Sequence, residues 1–233
     1  MEKGTLGNRL ACLTSEIALA SKQSHRDGTE IKLVAVTKTL PIEAITNVYD
    51  LGIYDIGENK VQELLEKYDQ LKHLNINWHF IGHLQTNKVK YVVDKVSLIH
   101  SVDSFKLAKE ISKECVKKNI CVNILIQFNV VGEDSKYGFA PEEAIKIVEK
   151  ISLLNNLKIK GLMTMAPFVE NPEETRRCFR GLTTLANLIR EANIPNVEMQ
   201  ELSMGMSNDF QVAIEEGATI IRLGTGLFGE RQY

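Results

Sequence analysis

Eight short runs of apolar and β-branched residues recur along the chain, separated by stretches whose apolar residues repeat at helical spacing. The runs are Ile31–Thr37, Ile53–Ile56, Trp78–Gly82, Ser97–Ser101, Val122–Asn129, Ile159–Met163, Glu198–Ser203 and Thr219–Leu223. Several, such as Leu33-Val34-Ala35-Val36 and Ile124-Leu125-Ile126, are apolar throughout rather than alternating. A strand reads this way when helices cover both of its faces, as in a parallel sheet. The intervening segments carry helix punctuation. Pro41 stands where a first helical turn tolerates proline. Pro141-Glu142-Glu143 and Asn171-Pro172-Glu173-Glu174 place acidic residues at a helix's positive end. Glu215-Glu216-Gly217 ends a helix with glycine just before the last strand. An extra helix over Arg9–Gln23 precedes the first strand.

Eight strands, each followed by a helix, predict a (β/α)₈ barrel of the TIM type with that additional N-terminal helix. The competing doubly wound open sheet would suit fewer strands. No Pro/Gly/Ser-rich linker, charge block or internal repeat interrupts the pattern, so residues 1–233 are expected to form a single domain.

Composition narrows the possible ligands. Of 233 residues, 44% are hydrophobic and 25% charged, which excludes a disordered, collagen-like or disulfide-scaffold chain. Lys plus Arg is 28 and Asp plus Glu 30, so the formal charge is −2 and gives no footprint for nucleic acid or an anionic membrane. An anionic ligand must therefore be held by local groups. No run approaches the roughly 18 to 20 apolar residues of a membrane helix, and Met1-Glu2-Lys3-Gly4-Thr5 lacks the order of a secretory signal. Cys12, Cys115, Cys121 and Cys178 form no C-x-x-C pair and read as reduced thiols of a cytoplasmic protein.

In such a barrel the site lies where strands run out into the following loops. Lys38 leaves the first strand, either snorkelling into solvent or serving as a desolvated amine for Schiff-base chemistry. Arg222 stands in the apolar run Thr-Ile-Ile-Arg-Leu-Gly, where an unpaired guanidinium is costly. It either pairs with a buried carboxylate or faces the barrel mouth and bonds a ligand. Gly224-Thr225-Gly226-Leu227-Phe228-Gly229 matches G-x-G-x-x-G, but the helix, strand and acidic residue that a dinucleotide fingerprint requires do not follow it. Together with Ser207-Asn208-Asp209, read as a helix N-cap, the same glycines suit a phosphate site between the loops after strands seven and eight. His79 and His83 are four apart, yet in a strand that spacing is too long for easy co-ligation, so no metal site is expected.

The set of a lysine after strand one, an arginine in strand eight and a glycine-hydroxyl loop beside it resembles the pyridoxal phosphate homeostasis protein family. That family's barrel is similar to the N-terminal domain of alanine racemase. The resemblance is carried along the chain by Ala35-Val36-Thr37-Lys38, Ile56-Gly57-Glu58-Asn59-Lys60-Val61-Gln62-Glu63, Trp78 to Lys88, Gly161-Leu162-Met163-Thr164-Met165, Leu202 to Ser207, and Ile221-Arg222-Leu223-Gly224-Thr225. Thr37 departs from it, since serine is common there. The resemblance implies that Lys38 forms the internal aldimine with pyridoxal 5′-phosphate (PLP). It further implies that Arg222 faces the pyridine nitrogen, that Ser207, Gly224, Thr225 and Ser203 hold the phosphate, and that Asn59, His83 and Met163 line the pocket. An arginine donates to the ring nitrogen without protonating it, which leaves the ring a weaker electron sink than an aspartate partner would.

The expected function is accordingly a PLP carrier in vitamin B6 homeostasis with no catalytic residues of its own, monomeric, with PLP-dependent apoenzymes as candidate partners. The alternative is an amino-acid racemase, which needs a base on each face of the substrate carbon. In alanine racemase the second base is a tyrosine from another domain, and only Glu230-Arg231-Gln232-Tyr233 follow Gly229 here. Of the tyrosines at 49, 54, 68, 91, 137 and 233, Tyr137 alone stands near a strand exit. A third reading is a phosphosugar barrel in which Lys38 attacks the sugar. The polar loop Gly132 to Gly138, with Lys136, is a further candidate for contact with a ligand or a receiving enzyme.

Overall fold

A computed structural model describes residues 3–132 and 137–229. Eight parallel strands close into one barrel in sequence order. They are β1 (Lys32–Val36), β2 (Asp55–Glu58), β3 (Asn77–Phe80), β4 (Leu98–Val102), β5 (Val122–Gln127), β6 (Leu157–Met163), β7 (Val197–Ser203) and β8 (Ile220–Leu223). Around them lie α1 (Lys3–Gln23), α2 (Ile42–Asp50), α3 (Val61–Gln70), α4 (Phe105–Lys118), α5 (Ala144–Ser152), α6 (Arg176–Glu191), α7 (Phe210–Glu215) and the single turn α8 (Thr225–Phe228). After β3 the helical slot is filled by a 3-10 run, Thr86–Tyr91, rather than an α-helix.

The apolar strand runs are explained by burial on both faces. In β1, Ala35 packs outward into the large core under the helices. Val34 points inward to a separate cluster with Leu98, Leu125, Met163 and Ile220. The extra N-terminal helix begins at Lys3, earlier than the expected Arg9. Leu6, Leu13, Ile17 and Ala20 recur on its buried face, and it packs against α7 and α8. Close strand packing depends on Gly161 in β6, where an added Cβ would stand 1.8 Å from the Glu201 carbonyl oxygen of β7.

One boundary matters for the site. β2 lies two residues later than Ile53–Ile56, so Gly57 and Glu58 belong to the strand and not to its exit loop. Gly57 faces Val34 inside the barrel, and Glu58 is wholly buried on the opposite, helix-covered side.

Candidate functional site

A cavity of about 420 Å³ opens where the strands end, within the size range of small-molecule sites. Lys38, Asn59, His83, Ser207, Arg222, Gly224 and Thr225 all line it. Met163 and Ser203 do not, which corrects two expectations. In register Met163 pairs with Ser203 and Ser203 with Ile220, so both lie one inward-facing layer below Arg222. Met163 belongs to the inner apolar cluster. Tyr137 lines the cavity and stacks on His83 at 4.0 Å between ring centroids and 17° between planes. Lys136 lies outside the described residues.

Lys38 is held by its neighbours on both sides. The Thr37 carbonyl accepts from Lys67 Nζ at 2.7 Å, and the Thr39 N–H donates to Glu63 at 2.6 Å. Both partners stand on α3. Lys67 also meets Glu58 at 2.7 Å, and the Thr37 hydroxyl donates to the same carboxylate oxygen at 2.6 Å. Thr37 therefore faces the helices and not the cavity. Burial pushes the Glu58 carboxyl up, while the bonds from Lys67 and Thr37 pull it back. Lys38 itself makes no hydrogen bond or ion pair with a described residue.

Arg222, 4% exposed, donates to Ser203 Oγ at 2.6 Å and to the Thr164 carbonyl at 3.0 Å. Both acceptors are neutral. Of the two readings left open by the sequence, pairing with a buried carboxylate is not what the described residues show. Burial draws its pKa down to about 10, with Asp209 pulling the other way, so the guanidinium stays charged at neutral pH.

The phosphate-site loops are adjacent, as expected, but their bonding differs from a simple N-cap. Asp209 holds the cap position of α7 and accepts from the Met206 N–H at 2.6 Å. Ser207 Oγ instead accepts from the Gly226 N–H across the two loops at 3.0 Å. That leaves the Ser207 O–H free to donate toward the cavity. Asn59, which lines the cavity, brings an orphan: its amide oxygen is buried and has no partner among the described residues. Its backbone is wedged against Gly82, where a Cβ would come 2.2 Å from the Asn59 carbonyl oxygen.

The two histidines once weighed as a metal pair go to different places. His83 Nδ1 meets Asp103 at 2.8 Å at the mouth, while His79 bonds Asp55 and His100 inside the barrel. Sequence reasoning missed Asp55, His100, Glu58 and Lys67. The available signals were polar residues inside apolar runs, His79 in Trp-His-Phe and His100 in Leu-Ile-His, and a lysine on the buried stripe Val61, Leu64, Lys67 of α3.

Residues 11–232 match the alanine racemase N-terminal domain family. The chain is 49% identical over 225 residues to the pyridoxal phosphate homeostasis protein of Aquifex aeolicus, covering 97% of this chain and 98% of that one. The chain belongs to the pyridoxal phosphate homeostasis protein family. A second member, from Haemophilus influenzae, is 36% identical over 97% of this chain and 96% of its own. Among solved structures, PipY of Synechococcus elongatus PCC7942 with PLP bound superposes with a TM-score of 0.85 at 34% identity, over 96% of this chain and all of PipY. An alanine racemase of Clostridium difficile shares the fold at 14% identity and a TM-score of 0.75, with this chain covering 57% of it.

Proposed function

We propose that this member of the family binds PLP in the barrel-mouth cavity and serves PLP homeostasis in the cytoplasm as a carrier rather than a catalyst. The observation that carries the reading is Arg222, a buried guanidinium at the cavity wall whose protein partners are both neutral. Asp209 is the counter-charge that acts on it, but without a bond to the guanidinium among the described residues. A buried charge bonded only by neutral groups is costly, and an electron-rich ligand atom at the wall offsets that cost. The residues present fit PLP. Ser207, Gly224 and Thr225 suit its phosphate, the orphaned Asn59 amide is available to a ring substituent, and His83 closes one wall. When bound, PLP supplies an aldehyde that condenses with a primary amine and a ring that withdraws electrons. Lys38 would be the amine that receives it. Arg222, protonated at neutral pH, would donate a hydrogen bond to the ring nitrogen without giving up its proton. Apoenzymes that need PLP are the class of partner that would take the cargo.

An absorbance spectrum of purified protein, followed by borohydride reduction and mass mapping, tests this directly. A yellow protein with the adduct on Lys38, and no yellow colour in Lys38→Ala, is the expected result. A protein that stays colourless with added PLP would overturn it and favour the phosphosugar barrel.

One observation favours the racemase as a second reading. Tyr137 follows β5 and lines the cavity, and in an eight-strand barrel β5 lies across from β1 and Lys38. Steady interconversion of alanine enantiomers, lost in both Lys38→Ala and Tyr137→Phe, would establish it over the carrier.

A further inference from the structure

A continuous line of hydrogen bonds climbs through the barrel interior. Asp55 Oδ1 lies 2.8 Å from His79 Nε2, His79 Nδ1 lies 2.8 Å from His100 Nε2, and His100 Nδ1 lies 2.8 Å from Ser203 Oγ. Arg222 Nη1 completes it at 2.6 Å from Ser203 Oγ. The line begins at the first residue of β2, on the barrel floor, steps through β3 and β4, crosses to β7 and ends on β8 at the cavity.

Its two ends fix its direction. An ionised carboxylate can only accept and a guanidinium can only donate. Asp55 therefore takes the His79 Nε2–H, which leaves His79 Nδ1 as an acceptor for the His100 Nε2–H. His100 Nδ1 then accepts the Ser203 O–H, and Ser203 Oγ accepts from Arg222. Every donor and acceptor is used once. Reversing the line with neutral rings would leave the His79 Nε2 lone pair facing the Asp55 carboxylate with no hydrogen between them. His79 and His100 are both buried, and burial above all holds His100 well below its ordinary value, in keeping with a neutral His100 ring. The other charged groups nearby are Lys32 and Glu201, which pair with each other on the floor, and Asp209 beside Arg222.

We propose that Asp55, His79, His100 and Ser203 are positioning residues for Arg222, a one-way hydrogen-bond chain that fixes which N–H groups the guanidinium keeps and which it presents to the cavity. The proposal rests on the PLP reading only for the ligand that senses it. It also removes Ser203 from the phosphate site, because both polar roles of its hydroxyl are engaged below the cavity.

The test separates the chain from the ligand. Nitrogen-15 histidine NMR on the unliganded protein should show His79 and His100 both as neutral Nε2–H tautomers at neutral pH. Asp55→Ala should mix the tautomers, and Asp55→Asn, which keeps an acceptor, should restore them. In PLP titrations followed by absorbance, Asp55→Ala should weaken binding by roughly three- to thirtyfold, the range for coupling through a packed network, and shift the absorbance maximum. Asp55→Asn should recover both. Glu201→Gln, another floor carboxylate but off the line, should change neither. Asp55 does not line the cavity, so an effect there must travel through the barrel. An Nδ1–H tautomer or a charged ring at either histidine would overturn the proposal, as would Asp55→Ala binding PLP with unaltered affinity and spectrum. A wild-type protein that binds no PLP but shows the tautomer pattern would sink the PLP reading and leave the chain standing.

Discussion

The molecule buries two cations close to its cavity and treats them in opposite ways. Lys67, behind Lys38, meets a buried carboxylate, so its charge is neutralised within the protein. Arg222, across the β1–β8 seam, meets a hydroxyl and a carbonyl, so its charge is left for whatever enters the cavity. The first arrangement builds a rigid seat for the anchoring amine. The second holds a charge ready for a ligand. The contrast separates a buried charge bonded to a carboxylate, which is settled within the fold, from one whose hydrogen-bond partners are neutral and whose counter-charge, Asp209, acts without a bond.

Removing the neutralising partner is the strongest way to break this contrast. Lys67→Met leaves Glu58 buried and unpaired and should cost about 3–5 kcal/mol in urea unfolding. The loss should shrink as pH falls, because Glu58, already pushed upward by burial, takes up a proton more readily in the folded state. Arg222→Gln should cost less than half as much, since the charge it removes is bonded only to neutral groups and meets its counter-charge, Asp209, without a bond. An equal loss in the two variants would erase the distinction.

A smaller effect sharpens the picture on the Lys38 side. Gly82→Ala drives a methyl into the Asn59 backbone and should cost about 1–3 kcal/mol, with weaker PLP binding in the same titration. Unchanged affinity would mean that Asn59 does not contribute to the cavity's grip.

On the Arg222 side the readout is pH. His100 stays neutral in the folded protein well below 6.5, whereas the unfolded chain takes up a proton near that value. The unfolded state then binds more protons, so stability falls as pH drops below about 6.5, by at most about 1.4 kcal/mol per unit. Glu58 and Asp209, both pushed upward by burial, oppose the trend at lower pH. The slope just below 6.5 should flatten in His100→Asn, and a wild-type profile already flat there would refute the account.

Much of this was legible in the sequence, and the parts that were not share a cause. Strand number, the parallel barrel and Lys38 at a strand exit follow from local signals, whereas Arg222 inside its apolar run leaves two readings open. The family resemblance assigns Ser203 and Met163 to the site. Height in a barrel, however, is set by register between strands, and the pairing of Met163 with Ser203 and Ser203 with Ile220 puts them one layer lower. Glu58 with Lys67, and Asp55 with His79 and His100, are likewise pairings between elements, which no local pattern encodes. Within Ser207-Asn208-Asp209 the cap falls to Asp209, while Ser207 bonds Gly226 on the neighbouring segment, again a pairing no local pattern encodes.

Closure of the sheet has a consequence for how this molecule fails. All eight strands have neighbours on both sides, so the folded barrel offers no open edge on which another chain could add a strand. Substitutions that loosen the mouth, where the ligand is gripped, therefore need not seed fibres. The aggregation hazard is confined to molecules in which one of the eight seams has parted; β7 and β8 share a single register pair, Ser203 with Ile220, against four between β1 and β8.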